Sequence, residues 1–414
     1  MRIHAITADG FRNLQPLSIS PHPRFNVLHG DNGQGKTNLL EAVYVLATLR
    51  SFRTTRLDEL VAFGGEAATL RARVEHRGLE RVFGVEIGLR PARKQALCDG
   101  KTARTGDYFG GFNVILFAPE DLRLPKGPPA GRRRFLDRAI WNTCPSYLDE
   151  VRTYDRILRS RNALLRPQAG RRVDEGGGLA AGEPDASAGQ TAGGLPGGAA
   201  MLEIYDSRLA AAGALLFDRR RRYLQALAPR VSAVFAAISG PQHAVDVQYA
   251  PALRATGGKT AGERGDALAE LDVAQMAERL GQQLARDRRR DQLRGFTHSG
   301  PHADDVTLLL DGRPAELHAS QGQTRALVLS LKIAEIQHLQ ALLGDPPVLL
   351  LDDVSSELDS EKNAALFAFL RESPSQVFIT TTDPRYIRIG LSAADRQNFA
   401  LRGGAIETSL PVDE

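Results

Sequence analysis

Apolar and polar positions alternate along the first thirty residues, in "IHAITADGF", "LQPLSIS" and "RFNVLHG", and this period predicts strands. Asp31 to Gly35 interrupt as a loop. "KTNLLEAVYVLATL" follows with the apolar density of a buried helix. Alternation returns over residues 67–118 in "AATLRARVEH", "ERVFGVEIGL" and "NVILFAP", broken by Gly and Pro turns. Beyond Pro119 to Pro129 the texture changes. From Arg132 to about Arg294 it is helical and arginine-rich, with long helices expected at Tyr147 to Arg166 and Met201 to Leu227. Residues 168–200 lie between these two. Gly, Ala, Pro and Ser dominate them, too little apolar surface to offset chain entropy, so a disordered insertion at the tip of a helical hairpin is expected. Strand texture resumes after Gly295 in "ADDVTLLLDG". A helix in "SQGQTRALVLSLKIAEI", a strand in "PPVLLLDD", a helix at Lys362 to Glu372 and the strand "QVFITTT" complete the pattern. The economical architecture is a split α/β domain, residues 1–123 and 295–414, with a helical lobe at 124–294 inserted in its middle.

Two stretches carry recognisable chemistry. "GDNGQGKT" (Gly30, Asp31, Asn32, Gly33, Gln34, Gly35, Lys36, Thr37) fits the G-x-x-x-x-G-K-[ST] phosphate loop, with the required strand before it and helix after it. The glycines let backbone N–H groups turn inward around phosphates, Lys36 adds a point charge, and the Thr37 hydroxyl suits Mg²⁺. In "PVLLLDDVSSELD" a short apolar run, Val348 to Leu351, reads as a buried parallel strand. It delivers Asp352 and Asp353 to the strand's C-terminal edge, where open α/β sheets bind nucleotides. Asp352 is the natural carboxylate for Mg²⁺, and Asp353 is placed to orient or deprotonate an attacking water. A third stretch poses a question. Ser320, Gln321, Gly322 and Gln323 crowd one helix N-terminus, where a single cap would suffice, and such an end favours an anion.

Composition adds limits. The 414 residues are 42% hydrophobic and 25% charged, with a net charge of +4 and a pI near 9.1. That is ordinary for a globular protein and too mildly basic to establish nucleic-acid binding. Cys98 and Cys144 have no spacing that suggests a disulfide framework or zinc site. No signal peptide and no apolar run near the ~20 residues of a membrane span are evident, so a cytosolic protein is expected. The middle segment holds arginine arrays: Arg132, Arg133 and Arg134; Arg152, Arg156 and Arg159 at helical spacing; Arg219 to Arg222; and Arg286, Arg288, Arg289 and Arg290. They suit sequence-independent contact with a nucleic-acid backbone, or equally a solvated helix face. "HSGPHADD" gathers His298, His302, Asp304 and Asp305 and resembles a metal cluster, but a strand-leading turn is the simpler reading. Trp141 is expected to anchor the core of the inserted lobe.

The order of motifs resembles the ABC-type ATPase heads of SMC-like proteins, and among them the bacterial RecF family. "FRNL" precedes the phosphate loop, "NGQGKTNLLEAVYVLATLRSFRT" spans it, and "GPHADD", "SQGQTRALVLSLKIAE" and "LLLDDVSSELD" follow. The likeness covers roughly 1–140 and 290–385, is looser through the middle and is absent over 168–200. It implies an α/β, ABC-type (SMC-like) P-loop ATPase head binding ATP and Mg²⁺. Residues 320–323 would be a signature that meets the nucleotide held by a second copy, in a homodimer formed when ATP is bound. The resemblance assigns nucleotide contacts to Asn38 and Ser356, a D-loop role to Asp359 linking the two pockets, and a phosphate-directed role to Arg53. It implies binding to double-stranded and gapped DNA and action with RecR, RecO and RecA in recombinational repair, replication and the SOS response. Three departures predict slow, DNA-stimulated hydrolysis used as a switch. Asp353 stands where such heads usually place Glu, Thr380 to Thr382 where His is frequent, and no sensing-loop Gln is identifiable near "LFAPEDL". The alternatives are a transporter's ATPase subunit, which needs a membrane partner and a shorter cassette, and an SMC-type structural clamp, which needs long heptad coiled coils. No cluster of spare carboxylates suggests a nuclease.

Overall fold

The computed structural model describes residues 1–104, 108–166, 198–253, 271–387 and 395–408. The chain opens with β1 (Arg2–Asp9), β2 (Leu17–Ile19) and β3 (Phe25–His29), turns through residues 30–35 and enters α1 (Lys36–Thr48). β4 (Ala67–His76), β5 (Leu79–Leu89), β6 (Ala92–Cys98), β7 (Lys101–Thr102) and β8 (Val114–Phe117) follow. Next come α2 (Pro129–Thr143), α3 (Tyr147–Leu165), α4 (Gly198–Ser239), β9 (Val245–Ala250) and α5 (Val273–Arg294). The remainder comprises β10 (Asp305–Leu310), β11 (Arg313–Pro314), α6 (Gln321–Leu343), β12 (Val348–Leu351), α7 (Ser360–Glu372), β13 (Val377–Thr381), β14 (Arg396–Arg402) and β15 (Ala405–Thr408).

The central sheet has the order β15-β14-β3-β13-β12-β8. β14, β3, β13, β12 and β8 run parallel, and β15 closes the edge antiparallel. Its short, mostly apolar strands are buried on both faces, which is what a covered parallel sheet requires. Leu28, Val348, Leu350, Val114 and Phe378 point into a core shared with α1 and a second, antiparallel sheet of order β2-β1-β4-β5-β6-β7. Phe25, Val27, Leu349, Leu351 and Ile379 point the other way, onto α6 and α7. β4 alternates between buried and more accessible positions, the signature of a sheet covered on one face. Contrary to the sequence expectation, one helix, α6, is long and apolar enough to cross a membrane by composition. Its apolar window is 72% buried within the protein, as a core helix would be.

The chain divides into two compact units. One comprises Met1–Ser146, Tyr223–Gln248 and Thr307–Glu414; the other comprises Tyr147–Arg222 and Tyr249–Val306. These cuts differ from 123/124 and 294/295. α2 belongs to the first unit because its side chains are spent there: Arg132 donates to the carbonyls of Leu124 (3.2 Å) and Gly127 (2.7 Å). Trp141 likewise packs 4.9 Å from the Phe109 ring and 4.6 Å from the Arg50 guanidinium, so it anchors the first unit and not the inserted lobe. The helix expected at 201–227 runs over 42 residues and includes Pro229. Of the insertion expected at 168–200, residues 168–197 lie outside the described residues, and 198–200 begin α4. The middle also contains a strand, β9, that its helical texture concealed.

In the second unit, the Arg161 side chain is fully buried and joins three elements. It donates to Asp206 of α4 (2.6 Å), to Asp291 of α5 (2.8 Å) and to the Thr297 hydroxyl (2.7 Å). Two carboxylates close to one guanidinium make its burial tolerable.

Candidate nucleotide site

The phosphate loop sits at the C-terminal edge of the central sheet. Gly30 leaves β3 at φ 138°, and a Cβ there would come within 2.4 Å of the Leu401 carbonyl oxygen. Gly33 (φ 79°) and Gly35 (φ 106°) complete the turn, and Gly35 caps α1 without any side-chain hydrogen bond. Lys36 is folded over the loop, its Nζ donating to the carbonyls of Gly30 (2.5 Å) and Asp31 (2.8 Å). Burial lowers the lysine's pKa, while the carboxylates of Asp353, Asp31 and Asp352 oppose that shift. Asp31 and Asn32 are exposed at the loop's tip.

Asp352 ends β12 almost fully buried. The Thr37 hydroxyl donates to its Oδ1 at 2.8 Å and the Thr380 hydroxyl at 2.9 Å. Burial raises its pKa, and the nearby Glu120 and Asp353 push the same way, against the two hydroxyl bonds. Thr380 also accepts the N–H of Asp353 at 2.8 Å, and Asp353 adopts a left-handed conformation (φ 48°) ahead of the one-turn helix Val354–Glu357. Thr380, the first of the three threonines at the end of β13, therefore braces both aspartates. Thr37 and Asp352 are hard oxygen donors on converging elements, and the raised carboxyl is one that a divalent cation would relieve, so the pair fits Mg²⁺.

A hydrogen-bonded chain runs from the loop to Arg53. Asn13 donates to the Gly33 carbonyl (3.0 Å), Asn38 to Asn13 Oδ1 (2.6 Å) and Arg53 to Asn38 Oδ1 (2.7 Å). Among the neighbouring arginines, Arg50 stacks on Trp141 and Arg56 pairs with Asp58. Beneath the chain, the fully buried Glu41 receives Arg12 through two bonds (2.9 and 2.7 Å) and the Ser51 hydroxyl. The motif "FRNL" thus supplies Arg12 and Asn13 to this network, tasks its local sequence does not announce. The β14–β15 turn, absent from the sequence expectations, also reaches the loop. There, Gly403 N–H donates to Gln34 Oε1 (2.6 Å) and Gly404 N–H to the Gln34 carbonyl (3.1 Å). The signal was available, since Gly-Gly between alternating segments is a hairpin turn.

Residues 320–323 form the N-terminus of α6. Ser320 Oγ accepts the Gln323 N–H (3.2 Å) and Gln323 Oε1 accepts the Ser320 N–H (2.9 Å), a reciprocal capping box. Ser320 and Gln321 are exposed. Among the described residues, the four make no hydrogen bond to the phosphate loop of their own chain. Ser356 donates to the Asp353 carbonyl (2.8 Å), and Asp359 caps α7 by accepting the Lys362 N–H (3.0 Å).

The arginine arrays divide. Arg132 is buried, and Arg220 is buried against the Pro301 carbonyl (2.6 Å) and the Tyr147 hydroxyl (3.1 Å), so neither faces a backbone phosphate. Arg219 pairs with Glu150, Arg152 with Asp149, Arg221 and Arg222 with Asp218, and Arg288 with Asp206 and Glu203. Arg133 and Arg290 are half-buried, whereas Arg134, Arg156, Arg159, Arg286 and Arg289 are exposed. The histidines and aspartates of "HSGPHADD" have separate protein partners. His298 meets Asp291 (2.7 Å), His302 meets the Tyr154 hydroxyl (2.6 Å), Asp304 accepts from Tyr249 and from the Ala252 N–H (2.7 Å), and Asp305 accepts the Val306 N–H (2.7 Å).

Comparison with known proteins agrees with this geometry. A family model described as "RecF/RecN/SMC N terminal domain" matches residues 2–395. The DNA replication and repair protein RecF of Myxococcus xanthus (strain DK1622) is 44% identical over 98% of this chain and 97% of its own. A solved structure of the recombination mediator protein RecF with ATP, in the RecFOR pathway, superposes with a TM-score of 0.77 at 27% identity, covering 98% of this chain and 99% of that one. An Smc head bound to the C-winged helix domain of ScpA has a TM-score of 0.50 at 14% identity over 99% of this chain and 98% of its own, a likeness of fold alone. The chain, an SMC-like ATPase head, belongs to the RecF family of DNA replication and repair proteins.

Proposed function

We propose that two copies of this chain close around ATP and Mg²⁺ into a DNA-bound clamp, and that slow hydrolysis reopens it. The observation that carries this reading is the contrast between a braced phosphate loop and a signature that, among the described residues, makes no hydrogen bond to it within one chain. In the closed pair, residues 320–323 of each copy complete the pocket built on residues 30–38 of the other, an exchange across a two-fold axis. The first N–H groups of α6 and the Ser320 hydroxyl then offer donors to the γ-phosphate. Thr37 and Asp352 would hold Mg²⁺, which when bound neutralises charge on the phosphate oxygens. Asp353 orients the water, Ser356 and Asp359 lie along the seam between copies, and Arg53 reaches toward phosphate from its anchor on Asn38.

The solved relative contains ATP and is placed in the RecFOR pathway. That supports ATP as the nucleotide and RecR and RecO as partners; on this reading the three help RecA assemble on gapped DNA. Backbone contact with duplex DNA falls to the exposed arginines, Arg134, Arg156, Arg159, Arg286 and Arg289, which favours shape over sequence. ATP drives closure only through contacts it makes in the pair and not in the single chain.

Sedimentation of the wild type, Lys36→Ala and Ser320→Arg with ATP and Mg²⁺, with and without duplex DNA, tests the reading. The wild type is expected to pair with ATP, more strongly on DNA, and both variants to stay single. A wild type that stays single at high concentration on DNA would overturn it.

A further inference from the structure

Gln323 uses its side-chain oxygen to close the capping box, so its amide nitrogen points the other way, 3.5 Å from His243 Nε2 and at the outer limit of a hydrogen bond. The other ring nitrogen, Nδ1, lies 2.7 Å from Asp311 Oδ2. A carboxylate only accepts, so Nδ1 carries the proton; in the neutral ring Nε2 is then an acceptor, and the Gln323 amide donates to it. Asp311 is itself pinned. Its second oxygen accepts the Ala244 N–H at 2.8 Å, its own N–H donates back to the Ala244 carbonyl at 2.8 Å, and it occupies a left-handed turn at φ 52°. The Ala244 N–H, followed by His243, holds its carboxyl below the usual carboxylate range, with Arg313 adding to the effect. With the ring neutral, Asp311, His243, Gln323 and Ser320 thus form one polar chain of consistent donor-to-acceptor order.

We propose that His243 is a positioning residue of the signature. By fixing the Gln323 amide it fixes the capping box, and the box aims the Ser320 hydroxyl and the leading N–H groups of α6 outward together. Without His243 the amide is free to rotate, Ser320 loses its partner for part of the time, and the donors no longer converge on one anion. This rests on the reading that the signature completes a pocket on a second copy.

The test is ATP turnover with Mg²⁺ and duplex DNA for full-length His243→Ala and His243→Gln, alone and mixed in equal amounts with Lys36→Ala. His243→Ala is expected to lower kcat about tenfold, a loss of about 1.4 kcal/mol of positioning. KM for ATP should stay within about twofold, because the nucleotide's own loop is untouched. His243→Gln should restore most of the rate, since a carboxamide offers an N–H to Asp311 and an oxygen to Gln323. In the mixture with Lys36→Ala, each mixed pair has one pocket with both halves intact, so turnover per chain should rise above that of His243→Ala alone.

His243→Ala turning over at the wild-type rate would overturn the proposal, as would a His243→Gln no better than Ala. So would a mixture that fails to recover while Ser320→Arg mixed with Lys36→Ala does. If that control mixture also stays inactive and unpaired, the composite pocket itself is wrong, whatever His243 does.

Discussion

Two helix N-termini dominate the candidate site, and they are built in opposite ways. α1 begins at Gly35 with no side-chain cap, surrounded by glycines and roofed by Leu401 and the β14–β15 turn. α6 begins at Ser320 with a complete capping box and lies exposed. An uncapped N-terminus leaves N–H groups unsatisfied, and here other segments hold it in shape at a cost that an anion offsets. A capped N-terminus stands on its own. On the proposed reading, the first is a receptor shaped by glycines and the second a surface that can be carried to a partner copy without unfolding.

The comparison breaks most visibly at Gly30. Replacement by Ala forces a Cβ onto the Leu401 carbonyl at a backbone angle foreign to side chains. A loss of about 3 kcal/mol in stability is expected, together with loss of the ATP-induced rise in Tm. Thermal denaturation with and without ATP measures both.

Asp352→Asn separates stability from function in the same corner. Both threonine hydroxyls donate to Oδ1, which an amide retains, so the fold keeps its bonds and sheds a buried charge. Turnover should fall about a hundredfold while Tm rises. The sign follows from a carboxyl whose folded pKa is raised. Its charge costs stability above that pKa, and the cost disappears as pH falls through it. The gain in Tm over wild type should therefore shrink on acidification, and a gain that grew would contradict the account.

The smallest effect on stability, and the sharpest contrast, belongs to Ser320→Asp. Aspartate caps as well as serine, so stability should change by less than about 0.5 kcal/mol. A carboxylate facing a triphosphate should nevertheless abolish ATP-dependent pairing in sedimentation. Normal pairing would show that α6 presents its N-terminus elsewhere.

The phosphate loop and the Asp352–Asp353 pair were legible because each is written in consecutive residues next to its strand. The parallel sheet was legible in runs such as "VLLL" and "VFIT", whose apolarity has no other use. What escaped depends on partners far away in sequence. Gln34 meets Gly403 369 residues later, and no local pattern announces that meeting. The arginine arrays misled for the same reason. Arg220 looks like its neighbours in "DRRRR", yet it is spent on a carbonyl 81 residues away. Charge pattern records how many arginines there are, whereas burial decides which of them meet solvent. In sequence, Thr380 to Thr382 register only as the absence of a histidine, because the role of Thr380 depends on β13 lying between β3 and β12.

Trp141 is the chain's single tryptophan, and its ring lies 4.6 Å from the guanidinium of Arg50, two residues beyond the end of α1. Indole emission responds to nearby charge, so the molecule carries its own optical gauge at the far end of the helix that starts at the phosphate loop. A change in that emission on adding ATP would report nucleotide at the loop on the unlabelled protein.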